Sequence, residues 1–137
     1  ERGGRMKLVA LMCTAAMVLS VNGCKDTTAG TVTNIDAIVF PASKVSYNTT
    51  IQPLFNIGCA MDDCHSAKSK KGNLDLSDYY GLKQRSYDVV IAYDTLGSKL
   101  IWYIDGRQPS AQWHRPLNPN HVQGFKTWIM EGATKEY

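Results

Sequence analysis

The clearest periodicity in the chain lies near its C-terminus. Val122, Phe125 and Ile129 recur at i, i+3 and i+7, with Trp128 beside them, which predicts an amphipathic helix. Asn118 supplies an N-cap, Pro119 the first helical position and Gly132 a stop. Leu100, Ile101 and Ile104 repeat the helical spacing between Ser98, a cap, and Gly106, so residues 99–105 read as a shorter helix. A third pattern runs through Ile51, Leu54 and Phe55. There Asn48 or Thr49 can cap, Pro53 sits near the first turn and Gly58 breaks the helix. Ser77 can cap a short helix over residues 78–83. Val89-Val90-Ile91 is an apolar run of no decisive period, residues 68–72 read as a basic turn, and residues 36–40 as a short extended piece. No internal repeat is present. Helical segments joined by long loops predict an all-α domain.

The apolar run at residues 8–19 is of another kind. It is about a dozen residues long, follows Arg2, Arg5 and Lys7, and is short for a membrane span. Residues 1–23 therefore read as a signal peptide, with Met6 as its start and residues 1–5 as an upstream extension of the reading frame. The segment closes on Gly23-Cys24, which resembles the lipobox of bacterial lipoproteins. That resemblance implies a diacylated Cys24 as the mature N-terminus; the alternative is an ordinary cleaved signal that leaves Cys24 a plain thiol. Residues 24–45 are rich in Thr, Ala and Gly and read as a lipidated N-terminus and flexible tether, with the folded domain over residues 46–137.

The 137 residues suffice for one domain. Of the 15 basic and 12 acidic residues, the leader holds three and one, which leaves 12 and 11 and a charge near +1 for the rest. That balance gives no case for nucleic-acid binding. Trp102, Trp113, Trp128 and the seven tyrosines accordingly read as packing residues rather than a base-stacking surface.

Chemistry concentrates at Cys59-Ala-Met-Asp-Asp-Cys64-His65. Two thiols followed directly by a histidine is the order that covalent haem attachment requires: each thiol adds to one vinyl group, and the histidine ligates the iron. The usual spacing places two residues between the cysteines, and here there are four. Two other readings stay open: a Cys59–Cys64 disulfide closing a tight loop, and a zinc site with His65 and His114. Neighbouring side chains such as Cys64 and His65 diverge, which makes them poor joint zinc ligands, and a disulfide leaves His65 without a role. On the haem reading no thiol is left over, since Cys13 departs with the leader and Cys24 takes lipid.

From Ile51 onward the chain resembles the planctomycete-type cytochrome c family of small single-haem domains. The resemblance rests on Ile51-Gln52-Pro53-Leu54-Phe55 before the cysteines, Gly72-Asn73-Leu74-Asp75-Leu76 with Tyr79 or Tyr80, Ser98-Lys99-Leu100-Ile101, and Trp128-Ile129-Met130-Glu131-Gly132-Ala133. It implies a cytochrome c-like helical domain around one covalent haem c, held by Cys59 and Cys64 with His65 on the iron. The family places Met-Pro-Pro before the last helix, whereas this chain has His114-Arg115-Pro116. Carried over, the position makes His114 the second axial ligand and lowers the reduction potential relative to methionine ligation. His121, Met61 and Met130 are the other distal candidates, and an open iron site is a further alternative. Met130 is expected in the core.

The function implied is electron transfer by a c-type cytochrome, lipid-anchored in the bacterial cell envelope, with redox proteins and the bilayer as partners. No nucleophile–base pair stands out, so no enzyme is expected. The alternatives are a haem-based sensor with an open iron site and a cofactor-free envelope lipoprotein with a Cys59–Cys64 disulfide. Asp62 and Asp63 are expected to face solvent. Lys68, Lys70 and Lys71 are either a solvated loop or a patch that docks an acidic redox partner.

Overall fold

The last helix, α4, spans Pro119–Met130 and organises the rest of the chain. Its start follows from the sequence: Asn118 Oδ1 accepts the His121 N–H at 3.0 Å, while His121 Nδ1 accepts the Asn118 N–H at 3.3 Å. This is a capping box with histidine in the place usually held by Glu or Gln. Phe125, Trp128 and Ile129 form the fully buried stripe. Gly132, at φ 97°, turns the chain away in the left-handed region.

The computed structural model describes residues 33–84, 88–108 and 117–136. Besides α4 they hold α1 (Gln52–Gly58), α2 (Tyr79–Gln84) and α3 (Lys99–Ile104), with single 3-10 turns at Ile35–Ala37 and Lys71–Asn73. Among the described residues there is no strand, only one isolated bridge between Ile91 and Asp94. The described part is thus helical, as the apolar spacing predicts. No described helix is long and apolar enough to cross a membrane. The leader, Cys24, Trp113 and His114 lie outside the described residues.

The first helix begins earlier than expected. Ser46, not Asn48 or Thr49, is the cap: its Oγ accepts from the Thr49 N–H at 3.4 Å. A wide π-helical turn, Tyr47–Ile51, then runs into α1. The reason is burial. Tyr47 has no exposed surface and packs against Phe55, Tyr79 and Trp128, so the apolar face starts one turn before Ile51.

The larger departure lies before it. Residues 35–45, expected within the tether, belong to the core: Ile35, Ile38, Phe40 and Val45 are all buried. The segment forms a strap along α4. Asn120 accepts the Phe40 N–H at 2.8 Å and donates to the Phe40 carbonyl at 3.1 Å. His121 Nε2 lies 2.9 Å from the Ile38 carbonyl, and Glu131 accepts the N–H groups of Lys44 and Val45. Phe40 fills the notch left by Gly124, where a Cβ would fall 1.9 Å from the ring. The surface that the strap meets lies some eighty residues further along the chain.

The apolar run at Val89–Ile91 forms a loop that brackets α3. The Lys99 and Leu100 N–H groups donate to the Asp88 and Val89 carbonyls. Ser98 stands at the cap position without capping. Its hydroxyl instead accepts from the Ile91 N–H and donates to the Asp94 carbonyl, so it holds the loop. Trp128 is buried with its N–H on the Thr134 carbonyl, and Trp102 is half-buried with its N–H on the Leu96 carbonyl. Met130, expected in the core, is 53% exposed. It follows Ile129 by one residue, about 100° around the helix, which takes it off the buried stripe.

Candidate functional site

The site is the loop that follows α1. Gly58 ends the helix, and the N–H groups of Cys59 and Ala60 both donate to the Phe55 carbonyl, at 2.8 and 2.7 Å. The Cys64 N–H then donates to the Met61 carbonyl at 3.0 Å, and the His65 N–H returns to the Cys59 carbonyl at 3.1 Å. Asp63, at φ 67°, turns the four intervening residues back on themselves. On the far side the loop is pinned three times. Ser69 Oγ and the Lys71 N–H both donate to the Cys64 carbonyl at 2.8 Å, and the Leu76 N–H donates to the His65 carbonyl at 2.8 Å. The backbones of Cys59, Cys64 and His65 are therefore held in one loop, by main-chain bonds and the Ser69 hydroxyl.

Their environments differ. Cys59 is 5% exposed, and burial pushes its thiol pKa up to about 12, with Cys64 adding to the effect. Cys64 is half-buried, and both are free thiols. His65 is half-buried as a residue, but its Nδ1 is fully buried and has no hydrogen-bond partner among the described residues. A buried polar atom left in that state costs about 1–3 kcal/mol, which a bound group can offset.

His121 is the opposite case. It has no exposed surface, Nδ1 accepts from the Asn118 N–H, and Nε2 then carries the proton and donates to the Ile38 carbonyl. Both ring nitrogens are committed, so among the described residues this histidine is structural. Met61 lies 38% exposed in the cysteine loop, and Met130 faces outward on α4. Neither contributes to the core.

The charged surround is balanced rather than basic. Lys68, Lys70 and Lys71 are exposed, as are Asp62 and Asp63. Lys70 Nζ lies 3.3 Å from Asp75. Burial works against the Asp75 carboxylate, but hydrogen bonds from the Ser77 N–H and hydroxyl, together with Lys70, outweigh it and hold its pKa below the ordinary value. Exposed lysines and carboxylates thus both occur along this stretch of the chain, with Lys70 paired to Asp75. Among the described residues no three His, Cys, Asp or Glu side chains gather as a metal-ion site, so Cys59, Cys64 and His65 do not form a zinc centre by themselves.

Gln52, to which the sequence assigns no role of its own, occupies a junction beside the site. Its Oε1 accepts from the Tyr47 hydroxyl, and its amide donates to Asn56 Oδ1 at 2.7 Å and to the Leu76 carbonyl at 3.0 Å. No protein-family model, curated protein or solved structure matches the chain.

Proposed function

We propose that the chain is an electron-transfer c-type cytochrome with one haem attached through Cys59 and Cys64, His65 on the iron, and a cytochrome c-like fold around it. The observation that carries this reading is the contrast between the two described histidines. His121 has both ring nitrogens engaged, whereas His65, directly after the second cysteine, holds a buried nitrogen with no partner among the described residues. The donor set fits the group. Burial disfavours a Cys59 thiolate, but a thioether is neutral and loses nothing there. The bracing of the loop also fits, since the Cys59–His65 backbone bond ties the two residues together across the wide spacing.

When bound, the haem supplies a reversible one-electron iron couple. Cys59 and Cys64 would hold the group and His65 would ligate its iron. His114 is the proposed second axial ligand, and bis-imidazole ligation places the potential below that of a His–Met site. Cys24 is the proposed lipid anchor in the bacterial cell envelope, and the partners are redox proteins within reach of that membrane. No catalytic residue is assigned.

The test is magnetic resonance of the ferric protein after a covalent-haem stain. A stained band with a low-spin bis-imidazole signal supports the proposal. High-spin iron points instead to an open-site sensor, and a colourless band ends both haem readings.

A further inference from the structure

The cysteine loop is held on two sides by different parts of the chain, and one side chain joins them. On the near side is α1, whose last turn holds Cys59 through the Phe55 carbonyl. On the far side is Leu76, which is 3% exposed and donates its N–H to the His65 carbonyl. Gln52 bridges the two. Its Oε1 accepts from the wholly buried Tyr47, and its amide donates to the carbonyl of that same Leu76. Both amide hydrogens and the carbonyl are used, so the side chain has one arrangement.

We propose that Gln52 is a positioning residue for His65. It acts through the Leu76 backbone to fix the segment from which the imidazole projects. Gln52 does not touch His65, so its effect passes along the sequence Tyr47 hydroxyl, Gln52 amide, Leu76 backbone, His65 carbonyl. The Leu76 carbonyl and N–H flank one Cα, so holding the carbonyl restrains the residue whose N–H holds His65. Without the amide, the Leu76 carbonyl loses its only link to α1 that passes through Gln52, and the far side of the loop is free to shift relative to Cys59. Only the role of His65 as an iron ligand rests on the haem reading; the positioning itself is a property of the polypeptide.

The test uses Gln52→Leu, which removes all three bonds, and Gln52→Glu, which keeps the acceptor for Tyr47 and loses the donor to Leu76. Glu131→Ala is the control, because it frees the strap at the far end of α4. In the haem-free chain, amide exchange at Leu76 is expected to rise about ten-fold in both Gln52 variants, the loss of one net hydrogen bond. The His65 ring resonances are expected to broaden or split, and the control at matched global stability should change neither. In the haem-loaded protein the same variants should spread the ferric low-spin signal, which reports imidazole orientation. Unchanged Leu76 exchange and His65 resonances in Gln52→Glu would overturn the proposal, as would equal changes in Glu131→Ala. A chain that takes no haem refutes the functional reading, and the exchange and ring measurements still decide the role of Gln52.

Discussion

The N–H of His65 donates to the carbonyl of Cys59 at 3.1 Å, closing the cysteine loop on itself. The two extra residues of the C-x4-C-H spacing are thereby absorbed in a turn with Asp63 in the left-handed region, which Asp tolerates better than most residues. The wide spacing therefore does not separate Cys59 from His65.

The two thiols should react unequally before any haem is attached. Cys59 is buried with its pKa raised to about 12, chiefly by burial, whereas Cys64 is half-buried. Since the thiolate is the nucleophile, alkylation of the folded haem-free chain at neutral pH should label Cys64 first. Peptide mass mapping against time checks the order, and denaturant should equalise the two.

His121 and His114 should separate cleanly. His121→Ala leaves the buried Ile38 carbonyl without its donor and removes half of the capping box, a loss of about 1–3 kcal/mol. It should leave the iron's spin state unchanged. His114→Ala is expected to convert low-spin to high-spin iron with a smaller effect on stability. Denaturant titration and magnetic resonance on both variants measure the two effects.

The strap should behave as core. Phe40→Ala removes a buried ring and is expected to cost about 3–5 kcal/mol. Gly124→Ala places a methyl group where Phe40 already sits, and overpacking of that kind costs about 1–3 kcal/mol or more. Phe40→Leu should recover part of the Gly124→Ala loss. Non-additivity in urea denaturation of the double variant is the readout.

Acid stability should depend on Asp75. Its folded pKa is depressed: burial opposes the carboxylate, but the Ser77 bonds and Lys70 prevail. Its contribution is therefore present above the unfolded carboxylate value of about 4 and is lost as pH falls through the lower folded value. Asp75→Asn should lower stability at neutral pH and flatten the acid limb of the stability profile. Thermal denaturation from pH 7 down to pH 3 follows it.

Local signals were legible and distant ones were not. α4 is marked by its own cap, proline and apolar stripe, and α2 and α3 lie within a residue or so of where their spacing places them. The strap left a weaker mark. Residues 36–40 read as a short extended piece, but nothing in Ile38, Val39 and Phe40 tells that they match the surface of α4 around Gly124. Met130 is exposed because a step of about 100° from Ile129 carries it off the stripe, a consequence of the helical period that its apolar character masks. At the site, the order of Cys59, Cys64 and His65 was readable at once. The commitment of His121 to Asn118 and Ile38 was not, since one partner lies 83 residues away. Gln52 was invisible for the same reason: its role is set by Leu76, 24 residues further along.

The most direct measurement is the intact mass of the purified chain after expression in a bacterial host with c-type cytochrome maturation. The account predicts the mass of the polypeptide plus one haem, retained on a denaturing gel and lost in the Cys59→Ala/Cys64→Ala variant. A bare polypeptide mass, with Cys59 and Cys64 free or joined to each other, would contradict it.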